Sequence, residues 1–312
     1  MKNIFVGYER GSGISPYFAG AKARNLSFPL FKKAGLSHRF IVLAMKLYAY
    51  HLPFFYLALL GKWKKELGNT AEIIFTASRE TLPALDFLHH HYPKIKCHVF
   101  YLNTLDTEVA DLTEWSNAHC EIWTFDKDDA EKFGLHLTTQ PICKESFEHI
   151  FDEEIRYDVT FVGEDKGRLP ILVPLKKALE NQQLTTNFHI TCTYEPNRSI
   201  AFDYDYAEPL AYEKVLQFYA QSRAVIEILQ TGQKGSTMRT LEAGYLGKKL
   251  ITNNQDVVHE PYFHPNNIFV LTGNNASEIA DFMKKDFVKI FDYGYYEMEE
   301  WLKRLGNYND KI

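Results

Sequence analysis

One segment in the second half of the chain combines the residue types that bind a nucleotide. Residues 230–243 follow a strand-like stretch and open a helix-like one, with glycines at 232 and 235. Glycine permits close backbone approach, and the amides and dipole of a helix N-terminus attract anions. Arg239 in the first turn opposes the dipole unless an anion is bound beside it. Glu242 follows on the same helix face, where its carboxylate can accept hydrogen bonds from a ribose diol.

The structural alternative for this segment is a capped surface helix. Ser236 or Thr237 would be the N-cap, and Arg239 would pair with Glu242 three residues later. The nucleotide interpretation is favoured because the glycines, the cap, the arginine and the glutamate all agree with it.

A second segment places cations at the end of another predicted strand. The strand within residues 157–163 ends in a glycine, and Lys166, Gly167 and Arg168 precede a predicted helix. Two cations at the carboxyl end of a strand suit a pyrophosphate, which arginine can bind in a bidentate manner. An ordinary polar loop is the alternative. The two segments support each other because they belong to the same half of the chain.

Strand-like and helix-like patterns alternate along the whole chain, and the alternation restarts near residue 157. This predicts an α/β protein with two Rossmann-like doubly wound domains that face each other across a cleft. The expected domains are residues 1–150, residues 151–290 and a C-terminal helical segment, 291–312, that crosses back to the first domain. Within the first, we expect a helix over residues 53–67 that begins at a proline.

Composition narrows the class of function. The 312 residues carry 35 basic and 40 acidic side chains, and a net charge of −5 does not suggest a nucleic-acid partner. The four cysteines form no CxxC motif, so neither a zinc site nor a redox motif is expected, and scattered thiols fit a reducing cytoplasm. The apolar stretch at the N-terminus is too short for a signal peptide, and charged residues follow it too soon.

Residues 22–65 differ from the rest of the chain in charge. They contain nine Lys or Arg, nine aromatic residues and no Asp or Glu, whereas the other residues carry a net charge of −14. Basic, aromatic and aliphatic residues together are typical of a surface that lies on anionic lipid. Lys46, His51 and Pro53 interrupt the most apolar stretch, so amphipathic helices are expected and not a membrane span. A buried helix pair with basic ends is the alternative.

The motifs of the second half resemble bacterial surface-polysaccharide glycosyltransferases of the GT-B fold. The resemblance is carried by Gln233-x-Gly235-x-Thr237-x-Arg239-x-x-Glu242, Lys248–Asn254, Tyr262–Ile268, and Phe161–Gly163 with Asp165–Arg168. It implies a diphosphate bound by Lys166, Arg168, Gly235, Ser236, Thr237 and Arg239, and a ribose bound by Glu242. GT-B enzymes generally need no metal, so no cofactor is expected. The formal DxD motif at residues 203–205 is interpreted as a solvated loop.

The first half would then bind the acceptor and supply a catalytic base if transfer is inverting. Glu9 is one candidate because it follows the first strand and precedes a glycine-rich turn. Asp106 and His51 are rivals, and an exposed loop carboxylate is the structural alternative for Glu9. A retaining reaction would need no such base.

The predicted function is a metal-independent glycosyltransferase for lipopolysaccharide or capsule synthesis. It would move a sugar from a nucleotide-diphosphate donor to a glycan or a polyprenyl- or other lipid-linked acceptor. The expected location is the cytoplasm, with contact between residues 22–65 and the inner face of the membrane. Two alternatives are a sugar-nucleotide epimerase or hydrolase of the same fold, and a non-catalytic sugar-nucleotide-binding partner.

Overall fold

The chain forms two compact units. The computed structural model describes residues 1–10, 14–105, 112, 115, 118–151, 153–193, 198–199, 203–230, 235 and 237–306. One unit comprises Met1–Glu145 with Tyr295–Ile312, and the other comprises Ser146–Gly294. We call them the N-terminal domain and the C-terminal domain.

The N-terminal domain contains a parallel sheet of six strands. They are β1 (Lys2–Gly7), β2 (Ser27–Pro29), β3 (Thr70–Thr76), β4 (Lys96–Phe100), β5 (Glu121–Thr124) and β6 (His136–Leu137). Their order in the sheet is β2-β1-β3-β4-β5-β6. The α-helices between them are α1 (Pro16–Ala19), α2 (His38–Ala49), α3 (Phe54–Leu59), α4 (Leu82–His91) and α5 (Lys127–Phe133).

The C-terminal domain contains a second parallel sheet, of five strands. They are β7 (Tyr157–Glu164), β8 (Thr186–Thr191), β9 (Ser222–Glu227), β10 (Lys249–Thr252) and β11 (Ile268–Val270), in the order β11-β10-β9-β7-β8. The helices are α6 (Leu169–Asn181), α7 (Tyr212–Ala220), α8 (Met238–Tyr245) and α9 (Ile279–Lys284). Short 3₁₀ helices in the chain span Gly20–Arg24, Lys62–Asn69, Arg79–Thr81, Lys144–Ser146, Gln255–His259, Ala276–Glu278 and Tyr293–Tyr296.

Apolar residues on both faces of each sheet explain why the strands are buried. In β3, for example, Ile73 and Phe75 pack in one hydrophobic cluster and Ile74 packs in the other. Alternate side chains of a strand point to opposite faces, so a strand covered on both faces reads as a continuous apolar run.

The last helix, α10 (Met298–Gly306), packs on the sheet of the N-terminal domain. Its apolar residues recur at helical spacing and form one buried face: Met298, Trp301, Leu302 and Leu305. The Trp301 ring lies 5.3 Å from that of Phe100, and its indole nitrogen donates to the Thr139 carbonyl at 2.7 Å.

The helix expected over residues 53–67 is divided in two. α3 ends at Leu59, and a 3₁₀ helix begins at Lys62. The Gly61 amide donates to the Leu30 carbonyl at 2.7 Å, and a Cβ on Gly61 would lie 2.4 Å from the Pro29 carbonyl oxygen. The expectation was wrong because a contact with a distant segment replaces the helical hydrogen bonds.

Candidate functional site

The C-terminal sheet reverses its strand order between β7 and β9. The chain continues from β7 to β8 on one side and returns as β9 on the other. Ligands of open parallel sheets bind outside the carboxyl ends of the strands at such a switch point. Residues 165–168 follow β7 and residues 228–237 follow β9. The fold therefore brings together the two segments that the sequence analysis selected.

One buried carboxylate holds the loop after β7. Asp165 accepts hydrogen bonds from the amides of Arg168 and Leu169 at 2.9 and 3.1 Å. It also accepts from the hydroxyls of Ser199 and Tyr206 at 2.7 and 2.6 Å. Burial raises the pKa of Asp165, but these hydrogen bonds outweigh burial and hold the pKa below its ordinary value. Asp165 is thus an ionised anchor of the loop, a role that the sequence analysis missed.

The turn after Asp165 exposes one cation and buries the next. Lys166 and Gly167 both have positive φ, 46° and 77°. This conformation is natural for glycine and costs on the order of 1 kcal/mol for lysine. As a result, Lys166 is exposed at the surface, whereas Arg168 is only 8% exposed.

Arg168 is a buried cation with incomplete hydrogen bonding. Its Nη1 donates to the Glu164 carbonyl at 3.2 Å, but its buried Nε has no hydrogen-bond partner among the described residues. Burial first, and then the nearby charge of Arg239, lower the pKa of Arg168 to about 10. A buried polar group without a partner costs about 1–3 kcal/mol, so such a group needs an explanation. A bound anion would satisfy both the hydrogen-bonding capacity and the charge.

Arg239 reaches from the first turn of α8 back to β7. Its Nη2 donates to the Val162 carbonyl at 2.7 Å, and its Nε donates to the Tyr219 hydroxyl at 3.1 Å. Its guanidinium carbon lies 5.1 Å from the centre of the Phe161 ring. These contacts fix a second cation beside Arg168. Burial lowers the pKa of this second arginine, but it lies close enough to the carboxylates of Glu227 and Glu242 for their charges to help raise its pKa above the ordinary value.

Glu227, the last residue of β9, organises the start of α8. Its fully buried carboxylate accepts hydrogen bonds from the hydroxyls of Thr237 and Thr240, both at 2.6 Å, and of Thr252 at 2.7 Å. Thr237 is the N-cap, since its Oγ1 also accepts from the Arg239 amide at 3.2 Å. Because the Thr237 hydroxyl already donates to Glu227, its side chain serves the architecture of the loop. A direct contact between Thr237 and the diphosphate stays a prediction from the sequence.

Glu242 lies one turn further along α8 and is 3% exposed. Its Oε1 accepts a hydrogen bond from the Tyr212 hydroxyl at 2.7 Å. Burial raises the pKa of Glu242 to about 7, against smaller opposite effects of Tyr212 and Arg239. A carboxyl group in this state can gain a proton or lose one near neutral pH, depending on the donors that a ligand brings.

The remaining predicted phosphate ligands are only partly described. Gly235 is half-buried in the segment between β9 and α8. Ser236 and the residues before Gly235, Thr231 to Lys234, lie outside the described residues.

The structure describes two of the three bases predicted for the N-terminal domain. Glu9 follows β1 and is exposed. His51, also exposed, lies in the turn between α2 and α3 with φ of 64°. Asp106 lies outside the described residues.

A cluster that the sequence analysis missed lies at the switch point of the N-terminal sheet, between β1 and β3. The His38 Nδ1 is 3.5 Å from the Glu80 carboxylate, and Arg10 Nη2 is 3.2 Å from His38 Nε2. Ser78 donates a short hydrogen bond to the second carboxylate oxygen of Glu80. Burial and the Glu80 charge raise the pKa of Tyr8. A histidine oriented by a carboxylate is a common arrangement for proton transfer.

The described residues contain neither a candidate metal site nor a candidate membrane span. No group of three or more His, Cys, Asp or Glu in the described part of the chain is arranged to hold a metal ion. Across the same residues, no helix has both the length and the hydropathy needed to cross a bilayer.

A cavity of about 290 Å³ lies elsewhere in the C-terminal domain, at the C-terminal end of α8. Its walls include Gly247, Asn267 and the segment 287–294. The C-terminal end of α8 leads into the start of β10, so this cavity is at the amino edge of the sheet. It is therefore separate from the arginines and from the switch point.

Solved structures with the same fold cover nearly the whole chain. AviGT4, a glycosyltransferase involved in avilamycin A biosynthesis, matches with a TM-score of 0.56 at 9% identity, covering 100% of this chain and 99% of its own. A UDP-forming α,α-trehalose-phosphate synthase from Burkholderia xenovorans matches with a TM-score of 0.53 at 10% identity, with coverage of 100% and 99%. A UDP-GlcNAc 2-epimerase from Methanocaldococcus jannaschii matches with a TM-score of 0.51 at 12% identity, covering 99% of both chains.

These similarities concern the fold. The prediction of two Rossmann-like α/β domains of the GT-B type is confirmed by the two parallel sheets and by these structures. Neither a family model nor a curated protein matches the sequence. Glycosyltransferases and an epimerase share the fold, so the fold alone does not determine the reaction.

Proposed function

We propose that the protein is a glycosyltransferase that uses a nucleotide-diphosphate sugar as donor. The observation that carries this proposal is the buried Arg168, whose Nε lacks a partner among the described residues, next to the fixed guanidinium of Arg239. Both lie where parallel sheets bind ligands. A diphosphate supplies two or more negative charges and enough oxygen atoms to serve both arginines.

The rest of the nucleotide fits the same edge of the domain. Glu242 is on the same helix as Arg239, one turn further from its start. Its carboxylate would accept hydrogen bonds from the ribose hydroxyls, while Tyr212 holds the other side of the group. Lys166 is exposed beside Arg168 and would contact the outer phosphate oxygens. These assignments follow the ligands expected from the sequence.

The proposed chemistry needs stabilisation of a leaving group. Breaking the bond between the sugar and the diphosphate leaves an additional negative charge on the phosphate oxygen. Fixed cations in a partly buried site stabilise such a charge without reorganisation during the reaction. The acceptor hydroxyl forms the new bond to the sugar carbon and gives its proton to a base.

We propose the His38–Glu80 pair as that base. Glu80 is positioned by Ser78, and it holds one nitrogen of the His38 ring, leaving the ring to take a proton at the other nitrogen. Arg10 adjoins that nitrogen in this structure, so an acceptor would have to displace it. Glu9 and Asp106 remain candidates from the sequence.

The finer role follows from the sequence resemblance. We propose that the acceptor is a glycan or a lipid-linked sugar and that the pathway is bacterial surface-polysaccharide synthesis. The free thiols of Cys97, Cys120 and Cys143 are consistent with a reducing cytoplasm, where nucleotide sugars are consumed.

Donor binding is the first test of this proposal. We expect one of UDP, GDP or dTDP, or a sugar derivative of it, to raise the melting temperature, because a ligand specific for the folded state stabilises it. The expected selectivity is for diphosphates over the monophosphate of the same nucleoside. Arg168→Met should abolish this stabilisation. Arg156→Met, at an exposed site of the same domain, is the control and should leave it unchanged. If no nucleotide stabilises the wild type, the proposal is wrong.

Turnover of the donor tests the base. His38→Gln should lower kcat at least about a hundredfold, the lower end of a typical contribution from general base catalysis. Donor affinity should not change, because His38 is in the other domain. Glu80→Gln should have a smaller effect in the same direction. Equal activity of His38→Gln and wild type would exclude this pair while leaving the donor site intact.

An epimerase is the second candidate, because the UDP-GlcNAc 2-epimerase structure covers 99% of the chain. The two reactions differ in their need for an acceptor. NMR of the sugar nucleotide incubated with the protein alone would show a new sugar configuration for an epimerase. A glycosyltransferase would leave the donor unchanged or hydrolyse it slowly. A protein that binds nucleotide and does neither, with any acceptor, would be a non-catalytic partner.

A further inference from the structure

Exposed apolar side chains are concentrated in one short segment of the N-terminal domain. Six of the sixteen large hydrophobic residues exposed in the described part of the chain lie between residues 40 and 55. They are Phe40 (49% exposed), Leu43 (52%), Tyr50 (78%), Leu52 (49%), Phe54 (75%) and Phe55 (50%). Single exposed hydrophobic residues are ordinary, but a contiguous group marks an interaction site.

Helix α2 has two apolar faces. Ile41 and Ala44 point into the hydrophobic core and are 1% and 3% exposed. At 100° per residue, Phe40 and Leu43 fall on an adjacent face, which is exposed to solvent. Packing within the domain explains the first face and leaves the second without a partner among the described residues.

The turn after α2 continues the exposed face. Tyr50 and Leu52 flank His51, and Phe54 and Phe55 begin α3 with their rings 5.9 Å apart. Buried Tyr56 follows directly and anchors α3 to the core. The turn and the start of α3 therefore expose four large apolar side chains on a segment that Tyr56 attaches to the core.

Cations border this apolar surface. Arg39 and Lys46 are exposed and lie beside the face of α2 that carries Phe40 and Leu43. The Lys32 amide donates to the Leu59 carbonyl at 2.8 Å, and Lys64 Nζ donates to the Leu57 carbonyl at 2.7 Å, so both lie beside α3. No Asp or Glu occurs between residues 22 and 65, while the remaining residues are strongly acidic.

We propose that α2, α3 and the turn between them form a docking surface for an anionic lipid bilayer. The apolar side chains would enter the boundary between headgroups and acyl chains, and the cations would contact lipid phosphates. A symmetric contact with a second copy is unfavourable, because it would bring the equivalent cations of the two copies close together. Lipid binding by this surface requires neither a sugar-nucleotide donor nor catalytic turnover, so its test is independent of the proposed reaction.

Vesicle sedimentation tests the proposal with the full chain. The protein should bind vesicles of phosphatidylglycerol and phosphatidylcholine, bind phosphatidylcholine alone weakly, and dissociate as salt is added. Phe54→Ser/Phe55→Ser should abolish binding at any salt. Arg39→Gln/Lys46→Gln should lower the partition coefficient roughly tenfold to thirtyfold on the anionic vesicles, since each cation contributes about fivefold.

Matched controls change the same residue types at exposed sites of the other domain. Ile171→Ser tests the loss of an exposed apolar side chain, and Lys176→Gln/Lys284→Gln tests the loss of two exposed cations. Both should bind as wild type does. Absence of wild-type binding to anionic vesicles, or equal binding by Phe54→Ser/Phe55→Ser, overturns the proposal. So does a dimer that forms without lipid and that this double variant abolishes, since the surface would then join two copies.

Discussion

Gly163 and Arg239 are so close that no side chain fits between them. A Cβ on Gly163 would lie 2.8 Å from the Nη2 of Arg239, the atom that donates to the Val162 carbonyl. The last residues of β7 therefore set the position of a cation from α8. This contact connects the two segments on either side of the switch point.

Gly163→Ala should weaken nucleotide binding without unfolding the protein. The added methyl group must displace the guanidinium from its hydrogen bond to Val162, and alanine is also strained at the φ of 159° that Gly163 adopts. We expect roughly a tenfold loss of affinity, which corresponds to about 1.4 kcal/mol. Calorimetric titration with the nucleotide found in the thermal screen measures it. Gly273→Ala is the control, because no atom lies within 4 Å of a Cβ at that position. Equal affinity of both variants would mean that the placement of Arg239 does not matter.

Arg168→Met should stabilise the free protein and abolish its response to nucleotide. The substitution keeps most of the side-chain volume and removes a buried charge with an unpartnered Nε. We expect a gain of about 1–3 kcal/mol in the free energy of unfolding, the cost of leaving such a group unsatisfied. Denaturant unfolding with and without nucleotide measures both effects.

The sign of the change in stability of Arg168→Met distinguishes an anion-binding arginine from one that serves only the fold. An arginine that served only the fold would lower stability when replaced, as most buried substitutions do. Loss of stability in the free protein, together with an unchanged nucleotide response, would contradict the anion site. Arg156→Met should alter neither quantity, since that side chain is exposed.

The sequence predicted the fold where the determinants are local. Alternating strand and helix patterns, the loop after β7 and the cap of α8 all depend on residues close in the chain. β2 has only three residues and was not predicted, because its pairing with β1 is a long-range contact. The division of the expected helix at Gly61 has the same origin, since Leu30 supplies the hydrogen bond.

For the candidate site too, the sequence predicted the residues but not the long-range contacts between them. Arg168 and Arg239 were selected for residue type and position, but their proximity depends on the order of β7 and β9 in the sheet. The role of Glu227 was missed because its three threonine partners belong to two later segments. A glutamate at the end of an apolar strand is the one signal that could have indicated it, since buried carboxylates require partners.

Glu242 should make stability and ligand binding depend on pH. Its pKa is about 7 in the folded protein, above its ordinary value of 4.5. Between these values the folded state holds a proton that the unfolded state has lost, so the contribution of Glu242 to stability is greatest below pH 4.5 and falls until about pH 7. The difference is on the order of 3 kcal/mol, at 1.36 kcal/mol for each pH unit. Glu242→Gln should remove this decline, as measured by unfolding at a series of pH values. Parallel curves for both proteins would show that Glu242 does not titrate there.

Nucleotide binding should reverse this preference for the proton. Ribose hydroxyls that donate to Glu242 favour its carboxylate form, so binding should release a proton below pH 7 and tighten as the pH rises. Titration calorimetry in buffers of different ionisation enthalpy measures the released proton. The Glu242→Gln variant should release fewer protons, because only the nucleotide phosphate then titrates. Proton uptake by the wild type on binding would contradict the role of Glu242 as an acceptor.

Gly244 in α8 should be a site where alanine destabilises the protein through one neighbouring ring. A Cβ there would lie 2.0 Å from Cζ of Tyr293, so the ring rests directly on the helix backbone. Overpacking of this kind costs about 1–3 kcal/mol. In the background of Tyr293→Ala the clash is gone, and alanine should then stabilise the helix by up to about 1 kcal/mol relative to glycine. A double-mutant cycle by chemical unfolding measures this change of sign. Additive effects would mean that the ring moves away freely, whereas a strong coupling would show that the segment carrying Tyr293 is held firmly against α8.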